Sequence, residues 1–465
     1  MSMLVAAFVG LCLYGMIRIL NLASPSLQPN IYARTRNSEF VQAILSSCPI
    51  LREPYVPPLL WGKSGHIQTI VYAKVGRSLD PLPSGVRHTK TLTDGSTLTF
   101  DLYEPTAKHK SGGEYCMLVC PGFGSSSESA YIRALTHHAQ SSGYRVAALN
   151  HLGSLFNVRL TAPRIFSYGG WEEFHIMRQE VERLYPQCKL ILVGLSMGAN
   201  IVLKYLGERP VHQDRVWCAI SICQGYNINA AKCHLMKWES MRRAYLHVMT
   251  ANQLRLIRHH GDILLEDSIR RMFNFDVKKI FSATTLEELD LHYTCIPLIL
   301  LNTEDDPIVP PPLFKYARDF AENRDNAVFV TTKHGGHLGY FEGGYLRPKG
   351  VTWLDRFVCE IADAVVGYRE QREGEKTASS MLTEMEGKAE QLVCGTDQDP
   401  DPISKENPML SGKQQGGAEM NMLKADGTAK TVVEATEVGV YPTQVSGSQG
   451  DCYTPVSQGQ AGWHS

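Results

Sequence analysis

The chain has 465 residues, 43% of them hydrophobic and 20% charged, enough to fill one large core and leave chain over. A formal net charge of -1 provides no basic field to draw in nucleic acid, and no acidic tract points to cation binding. The 12 cysteines are scattered without a Cys-x-x-Cys pair or a Cys/His cluster at ligand spacing, so neither a zinc site nor a disulfide framework is indicated.

Residues 1–17 carry no charged side chain, and Ile19 and Leu20 continue the apolar run past Arg18, which can snorkel. About twenty helical residues cover one bilayer core of roughly 30 Å. The basic n-region and small-x-small cleavage site of a signal peptide are missing, so residues 1–22 read as an uncleaved, single-pass membrane anchor. Arg18, Arg34 and Arg36 all follow the hydrophobic stretch, and the positive-inside rule then puts the remainder of the chain in the cytosol.

Further along, Thr91 to Phe100 forms a hairpin pattern turning on Asp94-Gly95. Short apolar runs follow at Cys116 to Cys120, Arg145 to Leu149, Leu190 to Val193 and Val216 to Ile222. Two more stand at Pro297 to Leu300 and Ala327 to Val330. Amphipathic stretches link most of them. In Glu173 to Tyr185, for instance, Phe174, Met177, Val181 and Leu184 recur at helical spacing. Strands alternating with crossover helices give an α/β class with a mostly parallel sheet and helices on both faces. This catalytic domain is expected over residues 90–368.

The motif Gly194-Leu195-Ser196-Met197-Gly198 sits between the run Leu190 to Val193 and the helical pattern Ala199 to Tyr205. That context makes it a nucleophile elbow, with Ser196 exposed on a sharp strand-to-helix turn. A serine hydroxyl is a weak nucleophile, so a base and an orienting carboxylate should follow in the order Ser, Asp, His. The loop Glu304-Asp305-Asp306-Pro307 follows one late run, and His334-Gly335-Gly336-His337 follows the other. Spacing does not choose between Asp305 and Asp306, or between His334 and His337. For the oxyanion hole, the N–H of Met197 and an N–H from the loop Cys120-Pro121-Gly122-Phe123-Gly124, best that of Phe123, stand at the right places in the chain. That loop lacks the order of a phosphate-binding loop.

Between strand runs, residues 227–290 form an expected helical cap. Leu235, Trp238, Met241, Tyr245 and Val248 recur at helical spacing, and Lys and Arg outnumber the acid Glu239 from Lys232 to Arg258. Such a helix suits either an anionic membrane surface or ordinary packing on the core. Residues 369–465 contain no Phe and abound in Gly, Gln, Glu, Thr and Ser, the composition of a disordered tail.

The stretch Pro57 to Thr69, with Trp61, Gly65, His66, Gln68 and Thr69, resembles the N-terminal signature of the eukaryotic α/β-hydrolase-domain lipases. Leu160 to Arg164 and Cys223 to Tyr226 add to the likeness, which runs to about Gly367. The resemblance implies an α/β-hydrolase fold with residues 23–89 packed on the core, and a triad of Ser196, Asp306 and His337. It further implies hydrolysis of monoacylglycerol esters of the 2-arachidonoylglycerol kind and stimulation by a steroid ligand (progesterone), and acyl transfer through such a triad requires no cofactor or metal. It implies a type II membrane orientation, opposite to the one read from charge. Residues 281–295 look shorter than the family's cap, and the long polar tail is a second departure. The same triad would serve a lipid acyltransferase, and a ligand-binding receptor on a hydrolase scaffold is the reading from another class.

Overall fold

The computed structural model describes residues 2–35, 38–74, 83–264, 296–348 and 350–393. Arg36, the segment 281–295, the end of the cap from residue 265 and the tail from residue 394 lie outside them. The described residues fall in one compact unit, Met1–Cys394.

Among the described residues nine strands form a single sheet: β1 (Asn30–Tyr32), β2 (Val86–Thr91), β3 (Thr97–Tyr103), β4 (Tyr115–Cys120), β5 (Arg145–Asn150), β6 (Lys189–Leu195), β7 (Val216–Ile222), β8 (Leu298–Thr303) and β9 (Ala327–Thr332). Their order is β1-β9-β8-β7-β6-β4-β5-β3-β2. The pairs from β5 through β4, β6, β7 and β8 to β9 are parallel, and the outer pairs are antiparallel. Every residue of β4, β7, β8 and β9 is buried, as expected of parallel strands covered on both faces. Along β6 the period of two divides the core: Leu190 and Leu192 face one hydrophobic cluster, Ile191 and Val193 the other.

Helices α1 (Ser2–Ile19), α2 (Glu39–Ser47), α3 (Gly65–Lys74), α4 (Ala130–Ser141), α5 (Glu172–Leu184) and α6 (Met197–Glu208) come first. The cap helices α7 (Ile228–Leu235), α8 (Arg242–His259) and α9 (Gly261–Leu264) follow, then α10 (Phe314–Glu322) and α11 (Trp353–Val393). Phe174, Met177 and Val181 of α5, with side chains of α6 and α10, cover one face. Phe40, Val41 and Ile44 of α2, Ile132 and Leu135 of α4 and the start of α11 cover the other. Strand order reverses at β4, which lies between β5 and β6. A crevice beyond the carboxyl ends of β4 and β6 is where such a sheet receives a ligand.

Three expectations change. Helix α1 is 18 residues long, about 27 Å, and among the described residues no helix is long and apolar enough to cross a membrane. The single-pass span expected over residues 1–22 is therefore not supported, because the apolar helix stops at Ile19 after Arg18. The continuous apolar face expected across the cap is broken: Met241 takes a left-handed backbone (φ 54°) between α7 and α8. Trp238, Met241 and Val248 are left exposed at 70%, 61% and 60%. Lastly, α11 continues to Val393, beyond residue 369, where composition places the start of the tail. Its Glu, Gln, Lys and Ala residues favour helix and need no core to continue one already begun.

Candidate active site

β6 ends at Leu195, and Ser196 follows with φ 54° and ψ −117° at the head of α6. This turn is built by its glycines. A Cβ on Gly194 would come within 2.4 Å of Ala199 Cα, and one on Gly198 within 2.0 Å of the Cys120 carbonyl oxygen. The Ser196 N–H donates to Ile222 O at 2.8 Å, tying the elbow to β7.

The loops after β8 and β9 bring the other two residues to Ser196. His337 Nε2 lies 2.8 Å from Ser196 Oγ, and His337 Nδ1 lies 2.8 Å from Asp306 Oδ2. Asp306 is 2% exposed. Its Oδ1 accepts from the N–H groups of Ile308 and Val309 at 2.7 and 2.9 Å, which fixes the orientation of the carboxylate. With both carboxylate oxygens accepting, the consistent arrangement is Nδ1–H donating to Asp306 and Nε2 accepting the serine proton. The structure thus brings together Asp306 and His337, not Asp305 and His334, at the serine.

Phe123 and Met197 flank this point. Gly122 stands against the nucleophile, since a Cβ there would lie 3.4 Å from Ser196 Cβ. The Gly122 N–H donates to the Tyr131 hydroxyl at 2.8 Å and the Ser125 N–H to Gly122 O at 3.1 Å, so Phe123 lies between two engaged amides. The Phe123 ring packs edge-on to Phe166. Behind the loop, His151 Nε2 donates to Pro121 O at 2.9 Å, and burial lowers its pKa to about 4, keeping it a neutral donor.

Sequence reasoning gave Gln68, Thr69 and His66 no role, yet they build the floor and rim of the site. The His337 N–H donates to Thr69 Oγ1 at 2.8 Å. Buried Gln68 donates to Tyr55 Oη and Gly62 O and accepts from the Phe341 N–H at 2.9 Å, joining α3 to the segment after His337. His66 Nδ1 lies 2.9 Å from the Tyr245 hydroxyl of α8, with the two rings stacked. Burial lowers the His66 pKa and pushes Tyr245 up to about 12, so neutral groups meet at this rim. Across the opening, Asn252 and Leu256 of α8 lie over Gly124. The signal for these roles was the compact run Gly65 to Thr69, whose i, i+3 and i+4 spacing puts Gly65, Gln68 and Thr69 on one helical face.

Cys223, Asp306 and His337 offer ligand atoms within 4.8 Å of one another. Burial, then the Asp306 charge, holds the Cys223 thiol well above its ordinary range, so it offers S–H rather than a thiolate. Both nitrogens of His337 are already engaged. This donor set fits a proton relay, not a metal.

Residues 115–253 match the family model described as alpha/beta hydrolase fold. Monoacylglycerol lipase ABHD2 of Mus musculus is 40% identical over 408 residues, covering 82% of this chain and 96% of the mouse protein. Abhydrolase domain-containing protein 2 of Drosophila melanogaster is 40% identical over 381 residues, covering 76% and 95%. Among solved structures, the Pyrococcus furiosus esterase PF2001 superposes with a TM-score of 0.40 at 14% identity, covering 55% of this chain and 83% of the esterase. At the identity and coverage of the mouse and fly proteins, this chain belongs to the ABHD2 family of α/β-hydrolase-fold ester hydrolases.

Proposed function

We propose that the protein is a membrane-attached serine lipase that hydrolyses monoacylglycerol esters, with Ser196 as nucleophile, His337 as base and Asp306 as orienting carboxylate. The observation that carries it is the unbroken chain from Ser196 Oγ through the His337 ring to Asp306 Oδ2, with both hydrogen bonds 2.8 Å long. His337 takes the serine proton as Oγ attacks the ester carbonyl, and Asp306 stabilises the imidazolium. The N–H groups of Phe123 and Met197 receive the developing oxyanion, helped by the N-terminus of α6. His337 then returns the proton to the departing glycerol oxygen. Water repeats the sequence on the acyl-enzyme, releasing the fatty acid. The carbonyl and ester oxygens need only hydrogen bonds and proton transfers, which these residues supply.

Membrane attachment is supported by exposed apolar groups on one region of the chain. Met3, Leu4, Phe8, Leu11 and Ile19 of α1 are all more than 60% exposed. The end of α1 is tied down by Asn21 Nδ2 donating to Lys63 O and Lys63 Nζ donating to Leu22 O. Just before Lys63, Leu59 and Leu60 donate backbone hydrogen bonds to Gly344 and Tyr345, and Trp61 Nε1 donates to Leu346 O. Leu59, Leu60, Tyr345 and Leu346 are nevertheless 45–74% exposed, a rigid apolar surface beside the root of α1. An apolar surface held open by hydrogen bonds suits lipid better than water. Trp238 and Met241, with Arg243 stacked on Trp238, add a similar group on the cap.

Purified full-length protein, assayed for fatty-acid release from 2-arachidonoylglycerol, diacylglycerol, phospholipid and short soluble esters, tests the reading. Preferred monoacylglycerol cleavage is expected. Acyl transfer to added glycerol in place of hydrolysis, or phospholipid as the sole substrate, would displace it. The steroid response implied by the motif resemblance enters as a ligand-dependent rise in the same activity, tested by adding progesterone.

A further inference from the structure

The two residues that lose the competition for the acid and base roles are not idle. His334 is 1% exposed, and its Nε2 lies 3.1 Å from Ser24 Oγ and 3.3 Å from Pro25 O. On the other side of the ring, Nδ1 faces Asp305 Oδ2 at 3.5 Å. These two facing atoms are buried and have no hydrogen-bond partner at closer range. A second Ser, His, Asp array therefore stands beside the first. The Asp305 carboxylate accepts, through Oδ1, from Thr303 Oγ1 at 2.9 Å and from the Gly336 N–H at 2.8 Å. Gly336 is the residue immediately before His337.

We propose that Asp305 and His334 are positioning residues for His337, and that Ser24, on the segment following α1, holds His334 in place. This rests on the assignment of Ser196 and His337 as the reacting pair. Asp305 fixes the peptide that carries His337, while Thr69 fixes the next N–H along. Gly65 closes on Asp305 so tightly that a Cβ would come within 1.9 Å of its carbonyl oxygen and 2.8 Å of its Cγ, so α3 confines both its backbone and its side chain. Thr303 and the Gly336 N–H hold its Oδ1, and the His334 ring backs its Oδ2. Nε2 of His334 meets both the Ser24 hydroxyl and the Pro25 carbonyl, so the segment following α1 holds the ring from the side opposite Asp305. Ser24 lies five residues beyond the end of α1, so the seating of the apolar N-terminal helix reaches the catalytic histidine through three side chains.

The test uses full-length protein with a soluble short-chain ester, so that lipid binding does not enter. Ser24→Ala and Asp305→Asn are expected to lower kcat by about fivefold and about tenfold with KM unchanged. Fluorophosphonate labelling of Ser196 should slow by the same factors. Ser24→Thr, which keeps the hydroxyl, should restore kcat. Wild-type kcat in Ser24→Ala and Asp305→Asn would overturn the proposal. So would activity lost only in proportion to the fraction of labelled, folded enzyme, or a Ser24→Thr protein as slow as Ser24→Ala. A Ser196→Ala control that retains activity would mean that the underlying assignment, rather than the positioning chain, has failed.

Discussion

Thr69 carries the backbone of His337: its Oγ1 accepts the His337 N–H at 2.8 Å while donating to Gly65 O at 2.7 Å. A residue from the N-terminal segment, far from Ser196, Asp306 and His337 in sequence, thus fixes the height of the His337 imidazole. Replacing the hydroxyl by a methyl in Thr69→Val leaves a buried N–H without its acceptor, at a cost of about 1–3 kcal/mol. We expect kcat on a soluble ester to fall about tenfold, with the melting temperature lowered as well. Wild-type kcat at a lowered melting temperature would reduce Thr69 to a packing role.

The elbow tolerates no side chain at Gly198, where a Cβ would meet the Cys120 and Pro121 carbonyl oxygens at 2.0 and 2.4 Å. Both are backbone atoms at the end of β4 and the loop after it and cannot step aside cheaply. Gly198→Ala should cost at least about 3 kcal/mol in a urea melt and abolish Ser196 labelling. Gly367→Ala is the control: it lies on α11 with nothing within 4 Å of the added methyl, and should be neutral or stabilising by up to about 1 kcal/mol.

His151 gives the fold a pH dependence of definite sign. Burial lowers its folded pKa to about 4, whereas the unfolded chain titrates near the ordinary 6.5. Between those values the unfolded state binds more protons, so stability rises with pH through this window and is lost as pH falls from about 6.5 toward 4. His175, His212 and His260 are lowered in the same direction, each mainly by burial. The urea midpoint should therefore drop between pH 7 and pH 5. His151→Gln, which can keep the donor to Pro121, should make that drop shallower. An equal slope in the variant would remove His151 from the account.

Lipid contact can be separated from chemistry on the surface beside α1. Leu60→Ser, Tyr345→Ser and Leu346→Ser combined remove exposed apolar area without touching the triad. Sedimentation with phosphatidylcholine/phosphatidylserine vesicles should weaken by roughly tenfold, while hydrolysis of a soluble ester stays at the wild-type rate. Unchanged vesicle binding would exclude this surface as the attachment site.

Most of the α/β layer was legible in the sequence because parallel strands buried on both faces are uninterrupted apolar runs. Each such run predicted from Cys116 onward is a strand to within a few residues. The elbow was legible because Gly194 and Gly198 are demanded by backbone approach. What stayed hidden depends on direction rather than type. Asp305 and Asp306 are chemically alike and adjacent, and only the turn that aims Asp306 at His337 and Asp305 at the Gly336 N–H tells them apart. β1 escaped because three residues are too few to show a period of two, and its pairing with β9 is set by Tyr32 stacking on Phe329. The cap was misjudged at Met241, where a left-handed residue interrupts what spacing alone reads as one continuous face. Gln68 and Thr69 look like ordinary helix residues until the loop of His337 folds onto them.

The most direct measurement is labelling by a fluorophosphonate probe, followed by peptide mapping, on full-length wild type, Ser196→Ala and His337→Ala, alongside fatty-acid release from 2-arachidonoylglycerol. The predicted result is a single adduct on Ser196 in the wild type. Neither variant should be labelled, and ester hydrolysis should fall by about a thousandfold or more in both. An adduct on another serine, or Ser196→Ala protein that still releases fatty acid at the wild-type rate, would contradict the assignment of the reacting residues.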